Sequence, residues 1–134
     1  MKIKLTTDYA MRMINYLSDN KTVVPSTELA EKMNVPKQYV QSIGRKLKKA
    51  GYVDIMLGTS GGICLIKKPK DISLYDIVLL MEGSIKINRC LADEKMCNRN
   101  AASYCTIHKR FNTLQNIVEH NLKSVTFADL KQNR

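Results

Sequence analysis

Three of the chain's four cysteines fall within nineteen residues, CLADEKMCNRNAASYCTIH (90–108), and a histidine stands three places after the last of them. Cys90, Cys97, Cys105 and His108 are the residue types that hold soft metals, and thiolates select iron–sulfur clusters, zinc or copper(I) over hard cations. The same thiols could act as a redox switch, or serve as small apolar filler. Asp93, Glu94, Lys95 and Arg99 surround Cys97 with charge, which argues against inert filler there. Cys64 stands apart, in a strand-like stretch, and reads as packing.

What must position these residues is a chain of 134, enough for one domain with an appended element. An apolar fraction of 44% supports a real core. No run is long and apolar enough to span a membrane, and the N-terminus is too interrupted by polar residues for a secretory signal. The expected compartment is the reducing cytoplasm, where cysteines more often mean metal, cluster or redox chemistry than disulfides. The net charge of +10 favours a polyanionic partner. Residues 1–70 carry 13 Lys and Arg against 5 Asp and Glu, so the first half is the electrostatic footprint.

Ala10, Met13, Ile14 and Leu17 follow the i, i+3, i+4, i+7 pattern, which predicts a helix over 6–18. Ser26 is placed as the N-cap of a second helix ending near Met33, with Asn34 as its left-handed stop. Pro36 opens a third helix running to Ala50, with Val40, Ile43 and Leu47 inward and Gly51 ending it. Two helices joined by a short turn read as a helix-turn-helix. Strand-like 52–57, the turn cluster Gly58-Thr59-Ser60-Gly61-Gly62 and strand-like 63–66 read as a β-hairpin wing. A basic linker, 67–70, follows. Ser73 to Asp76 has capping-box form and opens a fourth helix over 73–82. After the cysteines, Ile107, Phe111, Leu114, Val118, Leu122 and Val125 step at nearly heptad spacing. A long helix with so narrow an apolar stripe wants a partner, and a two-fold dimer suits paired half-sites in DNA. Thr126 and Asp129 signal a last short helix.

The fold class is mainly α with a small β-hairpin wing: a winged helix-turn-helix domain plus a long C-terminal dimerisation helix. The regions are 1–83 for DNA binding, 84–106 for a cysteine-containing sensor loop, and 107–134 for the dimerisation helix and C-terminal tail.

No acid lies between Lys37 and Lys49. Gln38, Gln41, Ser42 and Arg45 would face outward on the third helix and read base edges; Gln pairs with adenine and Arg with guanine, each contact worth roughly 1–3 kcal/mol of discrimination. Lys37, Lys46, Lys48 and Lys49 would contact phosphate, adding affinity without sequence information. Thr59 and Ser60 at the wing tip are small and polar, as a loop skirting a minor groove should be. Gly61 and Gly62 would let backbone approach phosphate closely. Gly44 in mid-helix costs about 1 kcal/mol against alanine, and close helix packing is its natural reason.

LTTDYAMRMINYL (5–17), ELAEKMNVPKQYVQSIGRKLKKAGYV (28–53), GTSGGICLIKKP (58–69), ISLYDIVLLMEG (72–83) and TFADL (126–130) together resemble the Rrf2 family of winged-helix transcription regulators. The resemblance covers nearly the whole chain. It implies a homodimer joined through the long C-terminal helix, binding double-stranded operator DNA. Several members regulate genes through an iron–sulfur cluster, and others have none. Cys90, Cys97 and Cys105 lie where cluster-binding members place three ligands. His108 repeats the two-residue gap of IscR-like members, and Asp8 matches an NsrR-like position where the other subunit completes the cluster. An acid in a first helical turn is equally explained by the helix dipole. The gaps between cysteines, six and seven residues, are wider than in the better-known members.

The expected function is therefore sequence-specific regulation of transcription, as a repressor, with DNA affinity set by an iron–sulfur cluster of unspecified type sensing redox state, nitric oxide or iron–sulfur status. The alternatives are a cluster-free DNA-binding regulator using thiols or zinc, and a winged-helix protein-interaction module. Cys105 and His108 could form a thiolate–imidazolium pair. Nothing resembles an oxyanion site, phosphate loop or substrate cleft, so the chain is read as a non-enzyme without membrane partners.

Overall fold

A computed structural model describes residues 2–131, so the last three residues of the region 107–134 lie outside the described part. The elements run α1 Leu5–Asp19, α2 Ser26–Met33, α3 Lys37–Lys49, β1 Val53–Met56, β2 Gly62–Leu65, α4 Leu74–Glu82, α5 Arg89–Ala92, α6 Thr106–Ser124 and α7 Phe127–Lys131, with single 3-10 turns at Pro69–Asp71 and Glu94–Met96. The fold is the expected one, mainly helical with one two-stranded antiparallel hairpin.

α1 forms because its apolar residues fall on one stripe. Ala10, Met13, Ile14 and Leu17 are all buried, and α2, α3 and α4 pack around them. Its first turn has no side-chain cap of its own. Glu82, the last residue of α4, supplies one: its carboxylate accepts from the Lys4 backbone N–H at 3.2 Å and from the Thr7 hydroxyl. The start of α1 thus depends on the end of α4.

Ser26 is the first residue of α2 rather than its N-cap. Pro25 takes the cap position, and its carbonyl already accepts the Leu29 N–H at 3.1 Å, so helical bonding begins one residue early. Asn34 ends the helix in the left-handed region at φ 52°. Pro36 starts α3 in the same way as Pro25 starts α2. Val40, Ile43 and Leu47 are buried, and Gly51 adopts φ +87° just past the helix end.

The strands pair Val53 with Leu65 through Met56 with Gly62: the first lacks Tyr52 and Leu57 of the stretch 52–57, and the second runs 62–65 in place of 63–66. The extended piece at Val24 adds a rung: Val24 and Ile63 exchange both backbone hydrogen bonds at 2.8 Å. The wing is therefore stitched to the loop before α2, as well as to α3. Gly62 is fixed by this stitch, since a Cβ there would lie 2.1 Å from the Val24 carbonyl oxygen. Gly61 is similarly constrained by the Met56 carbonyl, also 2.1 Å from a Cβ. Their smallness is used by the hairpin itself.

Ser73 and Asp76 form the predicted capping box at the start of α4. Thr126 and Asp129 do the same for α7. α7 returns to α1: Phe127 is buried in the core beneath it, and its N–H bonds the Ile72 carbonyl at 3.0 Å. α6 connects the two regions with only Gln115 buried along its length.

Gly62→Ala should destabilise the fold by about 3 kcal/mol, because a Cβ collides with backbone that carries a paired strand contact. Chemical denaturation of the purified variant measures this, and an unchanged midpoint would refute the stitched-wing account.

Candidate functional site

Every residue assigned to DNA on α3 is solvent-exposed: Lys37, Gln38, Gln41, Ser42, Arg45 and Lys48, with Lys46 and Lys49 beside them. The inward residues hold the helix while the outward ones stay free, which is what an amphipathic helix with no internal acid provides. Thr59 and Ser60 are exposed at the wing tip. Between α3, the wing and the start of α2 lies a groove of about 720 Å³. Gln41, Arg45, Lys48, Thr59 and Gly61 line it together, so the fold gathers five predicted residues from two elements. Lys37, Gln38, Ser42 and Ser60 lie outside this groove.

Lys48 is partly committed. Its ammonium lies 3.5 Å from the Asp54 carboxylate of β1, linking α3 to the wing. Both groups are about half exposed, so the pair contributes little stability and screens easily.

Two features of the groove escaped the sequence reading. Ser26 and Thr27 line it at the uncapped start of α2, where backbone N–H groups and the helix dipole favour an anion. The signal was present in Pro-Ser-Thr ahead of a helix, but Ser26 was read only as a cap. Leu57, read as part of a strand, lines the groove with 93% of its surface exposed.

The cysteine segment is less converged. Cys90 lies on α5 and His108 on α6, and the His108 Nδ1 sits 3.1 Å from the Cys90 Sγ. The hydrogen-bonding partner of His108 is thus eighteen residues away in sequence. Cys105 is instead the N-cap residue of α6. Cys97 is half-buried after the Glu94–Met96 turn, with the backbone N–H groups of Ala101, Arg99 and Asn100 near its sulfur. These donors, led by Ala101, pull its thiol below the ordinary value, and the Arg99 charge adds to them. All four cysteines are free thiols. Asp8 is ion-paired with Arg12 at 2.6 Å on α1. Among the described residues no three Cys, His, Asp or Glu side chains converge as a metal site. As placed, the segment offers a cluster two converging donors, short of a full ligand set.

Gln115 holds the start of this segment. Buried at 1% exposure, its side-chain oxygen accepts the Ile87 N–H at 2.8 Å and its amide donates to the Ile85 carbonyl at 3.1 Å. Lys86 and Glu119 add an ion pair at 3.4 Å.

The other side of α6 is apolar and uncovered: Ile107, Leu114, Ile117 and Val118 are between 40% and 59% exposed. No helix among the described residues is long and apolar enough to cross a membrane.

Comparison with known proteins agrees with this architecture. A family model described as Rrf2, "Iron-dependent Transcriptional regulator", matches residues 3–133. The HTH-type transcriptional regulator NsrR of Bacillus subtilis is 29% identical over 100 residues, covering 72% of this chain and 68% of that one. Among solved structures, T. potens IscR superposes with a TM-score of 0.78 at 23% identity, over 99% of this chain and 88% of the other. CymR, the global cysteine regulator of B. subtilis, gives a TM-score of 0.75 at 23% identity, over 100% and 98%. An exposed basic helix beside a hairpin, a cysteine segment and a long C-terminal helix, matched over almost the full length, lead to one assignment: the chain belongs to the Rrf2 family of transcriptional regulators.

Proposed function

We propose that the chain is a sequence-specific DNA-binding repressor, working as a homodimer whose grip on DNA is set by chemistry in the segment 90–108. The observation that carries this is the groove between α3 and the wing, where Gln41, Arg45, Lys48 and Thr59 come together on the basic half of the molecule. Gln38, Gln41, Ser42 and Arg45 read base edges. Lys37 and Lys48 contact phosphate, and the wing residues Thr59, Ser60 and Gly61 lie along the backbone or minor groove. The uncovered apolar stripe of α6 supports a second copy as its partner, because an exposed row at heptad-like spacing is a coiled seam without its other half.

For the sensor we favour an iron–sulfur cluster held by Cys90, Cys97, Cys105 and His108, with Asp8 as the alternative fourth ligand. Three cysteines and a histidine within the segment 90–108, with the Cys90–His108 pair already 3.1 Å apart, support it. The residues around the segment offer a route to the DNA-binding face. Gln115 and the Lys86–Glu119 pair fix residues 85–87 to α6, and Glu82, three residues before Ile85, caps α1. A rearrangement at Cys90 and His108 would load these contacts first.

Cys97 favours a second reading, in which the thiols themselves are the sensor. Its thiol is partly exposed and held below the ordinary value, chiefly by the neighbouring Ala101 backbone N–H. CymR, at 0.75 TM-score, is named a cysteine regulator and has an oxidised crystal form in Staphylococcus aureus.

Duplexes selected by the protein from a random library should bind with affinity falling steeply as salt rises. Arg45→Ala should cost about 1–3 kcal/mol and relax preference at one base position, whereas Lys37→Ala should lower the salt slope by about one without changing preference. A chain that binds no duplex would remove the regulator reading.

Protein purified without oxygen should carry iron and sulfide and absorb in the visible. Cys90→Ala, Cys97→Ala and Cys105→Ala should lose both, and His108→Ala against Asp8→Ala should name the fourth ligand. Colourless, iron-free protein would leave the thiol reading in place.

In iron-free protein, iodoacetamide should alkylate Cys97 with a midpoint pH below that of a free thiol, about 8.5. The N–H groups that lower it exist only in the fold, so urea should move the midpoint up. Mass spectrometry of the labelled peptide reads both.

A further inference from the structure

Resting on the DNA-binding reading, we propose that Leu57 is an apolar wedge that enters the minor groove of bound duplex and makes the protein sensitive to how easily that step of DNA opens.

Leu57 is 93% exposed, the most exposed of the large apolar side chains, and its neighbour Met56 is 46% exposed. The hairpin presents it rigidly. Gly58 turns the chain at φ +99°, the Gly61 N–H closes onto the Gly58 carbonyl at 3.1 Å, and a Cβ on Gly61 would meet the Met56 carbonyl. The turn backbone is packed closely against itself at the base of Leu57, whose side chain stands in solvent.

Its surroundings identify the occupant. Leu57 shares one groove with Arg45, Lys48 and Gln41. Those charges draw a polyanion to this face of the molecule. Once α3 lies in a major groove, the hairpin beside it meets an adjacent minor groove. A leucine there contacts sugars and base edges that are apolar once water leaves, and Leu is among the side chains able to unstack a base step. Pyrimidine–purine steps unstack most easily. Leu57 would therefore add sequence preference at a position without any base hydrogen bond.

The test uses a duplex selected by the wild-type protein from a random library, with 2-aminopurine scanned through its flanks. Wild-type binding should raise fluorescence at one pyrimidine–purine step. Leu57→Ser should abolish the rise and weaken binding about tenfold, the scale of one lost apolar burial. Its salt slope should stay unchanged, since no charge is removed. Leu57→Met should keep both affinity and rise, and Lys37→Ala should keep the rise while losing slope. Leu57→Ser should melt at the wild-type temperature, because the side chain it removes lies in water. If Leu57→Ser binds and unstacks as wild type does, the wedge is refuted and the DNA reading stands. If wild type binds no selected duplex, both fall together.

Discussion

The distance between α3 and the wing rests on one close approach. A Cβ on Gly44 of α3 would lie 3.1 Å from the Ile63 Cδ1 of β2 and 3.8 Å from the Ile55 Cδ1 of β1. Glycine weakens a helix interior by about 1 kcal/mol, and here it lets a hairpin side chain sit directly against the helix. Ile63 also exchanges its backbone bonds with Val24. One residue thus ties α3, the hairpin and the loop before α2 into a single body. Under the proposed reading, the two elements can address neighbouring DNA grooves together only if their spacing is held in this way. Lys48 and Asp54 span the same gap at the surface, in a pair weak enough for a phosphate to compete.

Most of the elements from α1 to α4 were legible because their signals are local. The i, i+3, i+4 stripe of α1, the αL stop at Asn34, the Ser73 capping box and the Gly-rich turn each need only a few neighbouring residues to be read. The one misplaced cap, Ser26, fell to a local competitor: Pro25 enters the helical bonding first. What the sequence could not show were the partners brought from afar. Glu82 capping α1, Val24 pairing with Ile63, and Gln115 accepting from Ile87 join residues 28 to 78 positions apart. No pattern within a window carries them.

The candidate site divides along the same line. The outward face of α3 follows from helical period alone, and each residue assigned there is exposed. The cysteine segment has no such period. Nearness in sequence carries no sign of the contact that brings His108 of α6 to Cys90 of α5. Leu57 was hidden for a different reason: a strand pattern predicts alternation, and cannot tell where the last rung of a hairpin ends and its tip begins.

Gln115 has one more consequence, for how the segment can change over evolutionary time. By holding residues 85–87 against α6, it fixes one end of the stretch 88–105, and the start of α6 fixes the other. A loop pinned at both ends can gain or lose residues at small entropic cost, because closure entropy grows only with the logarithm of length. Such a frame tolerates drift in the gaps between Cys90, Cys97 and Cys105 without disturbing the helices around them. The scaffold can keep its architecture while the spacing within the segment changes.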